Sequence, residues 1–143
     1  MKRFAGAAIL LFTLQLAAGI PHQQADKAAL GYFTGRVTDD RGTPVFGVPV
    51  WAMQYSKNPE GEGVLRPVLG VISDDRGDYR LFELPPGRYY IATGDAPGRA
   101  SNPSTRVHYA FRYYPGVGDI TQATALEILP GNGTQADLKA VRQ

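Results

Sequence analysis

Glycine and proline punctuate this chain so evenly from Tyr32 onward that a long helix fits nowhere in it. The 17 Gly and 11 Pro cut the chain into short pieces, and each such residue inside a helix is costly. No helical periodicity is sustained. Short runs rich in β-branched and aromatic residues recur instead, bounded by turn residues, and these read as strands. They cover residues 32–38, 47–55, 68–73, 79–84, 89–93, 106–114, 125–129 and 135–141. On the second run Val48, Val50 and Ala52 share one face, while Trp51, Met53 and Tyr55 share the other. Tyr79, Leu81 and Leu84 point inward from the fourth run, and Tyr89, Ile91 and Thr93 share a face of the fifth. Residues 56–63 and 94–105 are the long loops. The first and third runs end alike, in Asp39-Asp40-Arg41-Gly42 and Asp74-Asp75-Arg76-Gly77. This predicts one strand-to-turn solution used twice, with Asp capping the turn and Gly supplying a positive φ. Strands this short and this regularly interrupted predict an all-β fold, an antiparallel Greek-key β-sandwich of seven to eight strands.

The N-terminus reads differently. Met1-Lys2-Arg3 is basic, residues 4–18 are apolar apart from Thr13 and Gln15, and Ala17-Ala18-Gly19 are small. Those are the three parts of a cleavable secretory signal. The run is shorter than the about 20 apolar residues a membrane span needs. Cleavage after Ala18 or Gly19 predicts a signal peptide over 1–19, a flexible leader over 20–31 and a β-sandwich domain over 32–143. With no cysteine in the chain, no lipid anchor is expected. No second apolar stretch follows, so the processed protein is expected in the periplasm or outside the cell, without a membrane anchor. Losing Lys2 and Arg3 reduces the 15 Lys+Arg to 13, against 13 Asp+Glu. A chain with no excess charge is a poor partner for nucleic acid, whose phosphates dominate affinity. The absence of cysteine also removes disulfides, thiol redox chemistry and thiolate metal sites.

Two blocks carry a family resemblance. Gly35-Arg36-Val37-Thr38-Asp39, with Gly42-Thr43-Pro44-Val45 and Gly47-Val48-Pro49-Val50, resembles the opening of carboxypeptidase regulatory-like domains. The block Gly77-Asp78-Tyr79-Arg80-Leu81, followed by Leu84-Pro85-Pro86-Gly87-Arg88-Tyr89, resembles the second signature of that family. The resemblance spans residues 32–94. It implies a transthyretin-like (prealbumin-like, Cna B-type-like) sandwich in a bacterial exported protein. It also implies an accessory role, with no catalytic residues to carry over. No catalytic domain follows here, and the end at Gln143 directly after a strand is compatible with a piece of a longer receptor or peptidase chain.

Enzyme readings fall short on residues. An intradiol dioxygenase has a similar sandwich but needs two Tyr and two His around iron. Here the strand that would carry both His has His108 and then Ala110, and the remaining His22 lies in the leader. Hydroxyisourate hydrolase ends in Tyr-Arg-Gly-Ser, whereas this chain ends in Val141-Arg142-Gln143. Nucleophilic catalysis needs a His oriented by a carboxylate, and one usable His without a Gly-x-Ser-x-Gly elbow makes a weak case. Asp74, Asp75 and Asp78 lack the acidic spacing of a calcium loop and read as turn caps. Asn132-Gly133-Thr134 reads as a turn. The expectation is therefore a non-enzyme with no catalytic residue, cofactor or bound metal. Its partner would be an unknown protein or a cell-surface polysaccharide. The aromatics supply the alternative of a carbohydrate-binding domain, with Trp51, Tyr109, Tyr113 and Tyr114 as the binding residues.

Overall fold

The computed structural model describes residues 29–97 and 107–143. The expected signal peptide, the leader up to residue 28 with its His22, and residues 98–106 of the long loop lie outside the described residues. The rest is all-β, apart from single helical turns. Its strands are β1 (Gly31–Thr38), β2 (Pro49–Lys57), β3 (Gly63–Ile72), β4 (Asp78–Leu84), β5 (Gly87–Thr93), β6 (Arg112–Tyr113), β7 (Leu126–Ile128), β8 (Gly133–Gln135) and β9 (Leu138–Lys139). They form two sheets packed as a sandwich. The first has the order β4-β1-β8, with β9 also on β1, and the second has the order β3-β2-β5-β6, with β7 also on β5. The chain changes sheet between β1 and β2, β3 and β4, β4 and β5, and β7 and β8.

The core lies between the sheets and is filled by alternate residues of each strand. Phe33 and Val37 come from β1, Val50 and Ala52 from β2, Leu81 and Leu84 from β4, and Tyr89 and Ile91 from β5, all at most 1% exposed. Phe33 and Tyr89 meet edge to face across the sheets, with ring centroids 5.8 Å apart, the geometry aromatic rings prefer. Two buried phenols solve the polar problem that burial creates. The Tyr79 hydroxyl donates to the Ala136 carbonyl at 2.6 Å. That of Tyr89 donates back to the Pro85 carbonyl at 2.6 Å, pinning the Pro85-Pro86-Gly87 corner. Buried Ser73 does the same for a backbone crossing. Its Oγ accepts the Val48 N–H at 3.0 Å and donates to the Val45 carbonyl at 2.7 Å.

The two echoed turns are one structure. Asp39 Oδ1 accepts the N–H groups of Arg41 and Thr43, each at 2.9 Å. Asp74 Oδ1 accepts those of Arg76 and Asp78, also at 2.9 Å. Gly42 and Gly77 follow with φ of 81° and 75°, a region that a side chain would strain. The first Asp of each acidic pair, Asp39 and Asp74, thus serves as a turn cap.

Some local expectations need correction. Residues 135–141 do not form one antiparallel strand; β8 and β9 are separate and both run parallel to β1. The chain reaches them from the second sheet and passes β1 in its own direction. Gly35 explains the break between them, because a Cβ there would lie 1.9 Å from the Ala136 carbonyl oxygen. Beside the break, Asp137 Oδ1 takes the place of a ladder carbonyl and accepts the Arg36 N–H at 3.0 Å. The run 106–114 reduces to β6. Its amides go to unrelated partners: Tyr109 N–H to Asp95 Oδ2, Ala110 N–H to the Val141 carbonyl, and Tyr114 N–H to the Ile91 carbonyl. No continuous ladder survives that division. In the other direction, β3 starts at Gly63 and takes over the end of the expected 56–63 loop.

Candidate functional site

The inward faces of the second sheet are spent on the core, so any site on it must use the outward residues. Strand register sets these in rows. In the first row Tyr113 of β6 pairs with Ala92 of β5, Ala92 with Trp51 of β2, and Trp51 with Gly70 of β3. Two residues further along, Tyr90 pairs with Met53, and Met53 with Pro67. Beyond that, Tyr55 pairs with Leu65 and Arg88 with Glu127. A one-residue slip would turn every one of these side chains into the core.

The result is an aromatic surface with a groove of about 490 Å³ at its upper end. Trp51, Met53, Pro67, Pro97, Phe111 and Tyr113 are among its walls. Trp51 is half-buried. Its indole N–H donates to the Gly94 carbonyl at 2.9 Å, and its ring lies where a Cβ on Gly70 would stand 2.6 Å from Cζ3. Glycine at position 70 therefore makes room for the indole on the sheet. Phe111 and Tyr113 pack edge to face at 5.2 Å, and Tyr55 and Tyr90 do so at 5.7 Å. Burial pushes the Tyr113 hydroxyl up from its ordinary value, and Tyr55 and the Asp119 carboxylate add to the shift. Tyr113 thus stays a neutral hydrogen-bonding group, with Tyr55 and Asp119 within electrostatic reach. Asp119 itself is held low by the Thr121 amide and hydroxyl, both at 2.8 Å.

Of the four residues expected to bind, register brings Trp51 and Tyr113 together on this face. Tyr109 and Tyr114 are elsewhere. Tyr109 is 7% exposed and belongs to the core, and Tyr114 packs against that core from its edge. Alternation along one strand would have kept Tyr109 and Tyr113 on the same side. The irregular stretch between them shifts the parity, so Tyr109 lies in the core and Tyr114 against its edge, not on this face. Tyr90, Phe111 and Tyr55 are additional members. For Tyr55 the signal was present in its alternation with Trp51 on the second run. For Tyr90 it was the inward assignment of Tyr89 and Ile91, which leaves Tyr90 outside.

His108 is half exposed and stands before β6, with Nδ1 3.2 Å from Asp95 Oδ2. The same carboxylate oxygen accepts the Tyr109 N–H at 3.1 Å. Asp95 also donates its own N–H to the Tyr109 carbonyl at 3.1 Å. This clamp ties Asp95 to Tyr109, one residue from the Gly94 carbonyl that holds Trp51. Among the described residues, no group of three or more His, Cys, Asp and Glu side chains is placed to hold a metal ion.

A larger concavity, about 890 Å³, lies along β1 and β4. Its charged groups answer one another. Arg36 Nε donates to Asp78 Oδ1 at 2.8 Å, which holds the Asp78 carboxyl below the usual range and the guanidinium more firmly charged. Asp137 and Asp74 already accept backbone amides there. An exposed pair of this kind contributes little to stability, and the concavity reads as the solvated side of a turn.

No family model matches the chain, and no curated protein does. Among solved structures it overlaps the Bacillus anthracis TIE protein at 15% identity, covering 78% of this chain and 16% of that one, with a TM-score of 0.47. An (S)-allantoin synthase gives 15% identity, 82% and 45% coverage and a TM-score of 0.47. BcpA, the major pilin subunit of Bacillus cereus, gives 15% identity, 80% and 31% coverage and a TM-score of 0.45. The chain spans less than half the length of each. Overlaps this loose bear on neither ligand nor activity, which are read from the site.

Proposed function

We propose that this protein is an exported, non-enzymatic binding module of the carboxypeptidase regulatory-like kind, and that the outer face of its second sheet receives the ligand. The observation that carries the reading is the gathering of Trp51, Tyr55, Tyr90, Phe111 and Tyr113 on that one face. Single exposed apolar residues are ordinary, but contiguous aromatic patches mark interaction surfaces. The basic, apolar and small-residue sequence at the N-terminus supports export. The turn and corner blocks around Asp39, Asp74 and Tyr89 support the regulatory-like assignment.

Carbohydrate is the ligand class this face favours over a protein partner. Sugar rings present apolar C–H faces ringed by hydroxyls. Aromatic faces match the first, and phenol hydroxyls such as those of Tyr113, Tyr90 and Tyr55 match the second. The test is retention of the processed protein on a panel of insoluble polysaccharides and on a glycan array. Retention that Trp51→Ala and Tyr113→Ala each abolish supports the reading. Capture of one envelope protein, with no retention on any glycan, would move the function to a protein accessory.

A further inference from the structure

We infer that the face takes a linear, uncharged oligosaccharide laid along the strand direction across several rings, and not a single sugar. The inference rests on the carbohydrate reading above and specifies its substrate class. Its basis is the order in which register presents the rings. Tyr113 stands level with Trp51, Tyr90 is level with Met53, and Tyr55 lies one further row along β2. Each row is two residues from the next. At about 3.3 Å per residue, the path from Trp51 to Tyr55 is roughly 13 Å long. That is longer than one sugar ring and has an aromatic side chain in every row.

The two edge-to-face pairs divide the path. Phe111 with Tyr113 forms one end, and Tyr55 with Tyr90 forms the other. An edge-to-face pair leaves the ring faces turned to different sides, so a chain passing over both pairs stacks at separate points. Tyr113, Tyr90 and Tyr55 each carry a hydroxyl beside their rings, so the path offers hydrogen-bonding groups as well as stacking surfaces. Charge argues for a neutral chain. Arg88 and Glu127 pair across β5 and β7 where the path ends, Lys57 follows Tyr55 on β2, and Asp119 lies within electrostatic reach of Tyr113, so both signs border the path and neither prevails.

Tyr55 is the discriminating residue. It is 50% exposed, so its removal leaves the core intact, and it lies at the end farthest from Trp51. The experiment is calorimetric titration of the processed full-length protein with glucose and with β-1,4- and α-1,4-linked glucose oligomers, up to the hexasaccharide. We expect affinity to rise with length by about tenfold or more from disaccharide to hexasaccharide. Tyr55→Ala should cancel most of that rise and weaken the hexasaccharide more than the disaccharide, whereas Tyr113→Ala should weaken both alike. Equal affinity for glucose and hexasaccharide overturns the inference while sparing the carbohydrate reading, as does an unaltered length dependence in Tyr55→Ala. Failure of every member of the series to bind, in a protein that retains an envelope partner, overturns both.

Discussion

Replacing Tyr79 by Phe removes one oxygen and leaves the ring. Tyr79 is 3% exposed and its hydroxyl donates at 2.6 Å to the carbonyl of Ala136, itself 1% exposed. The variant keeps the packing and leaves that carbonyl without its phenol donor. A buried polar group deprived of its partner costs about 1–3 kcal/mol, which lowers Tm by roughly 4–12 °C in a domain of this size. The effect should also depend on pH in one direction. Burial, then Asp137, then Tyr114 push the Tyr79 phenol well above its ordinary value. An unfolded tyrosine loses its proton near pH 10 (a pKa of about 10), while the folded one keeps it. Above that pH the unfolded state binds fewer protons, so stability falls as pH rises, by about 1.4 kcal/mol per unit for one such group. Below it both states are protonated and the group contributes no slope. Tyr79→Phe should therefore be less stable than the parent at neutral pH and lose less on going from about pH 10 to 12. Some slope remains, because burial also raises Tyr89 and Tyr113. Urea melts at neutral and alkaline pH measure both effects. An unchanged midpoint at neutral pH, or equal alkaline losses in the two proteins, would refute the reasoning.

Other substitutions probe separate parts of the argument. Ser73→Ala strips partners from the Val48 amide and the Val45 carbonyl at once. It should cost about 1–3 kcal/mol in urea melts, and a neutral result would show that water replaces the hydroxyl. Asp39→Ala and Asp74→Ala each remove a carboxylate that accepts two turn amides, so their losses should match, at about 1 kcal/mol each as for a helix cap. Widely different losses would break the equivalence of the turns. Gly70→Ala drives a methyl into the Trp51 ring. Because Trp51 is the single tryptophan, the emission spectrum should shift while global stability changes little. An unmoved spectrum would show that the indole does not lie on Gly70.

Local chemistry determined much of this protein before any tertiary contact was known. The spread of Gly and Pro imposed short strands, and alternation in β2, β4 and β5 named most of the core. Asp-Asp-Arg-Gly specified its turn twice, because an Asp carboxylate bonds amides two and four residues away and needs no distant partner. The outward set of β2 was legible for the same reason, which is how Trp51 and Tyr55 could be placed on one side. Residues 107–114 were not legible, since the amides of Tyr109, Ala110 and Tyr114 go to Asp95, Val141 and Ile91, which lie far off in the chain or close only after folding. That choice buries Tyr109, turns Tyr113 outward and undoes the alternation that had joined them. The sense of β8 and β9 was also hidden. It depends on the chain crossing from one sheet to the other and on the space Gly35 leaves for Ala136. Trp51 and Tyr113 meet only because β5 pairs β2 on one side and β6 on the other, and strand pairing is a decision of the folded chain as a whole.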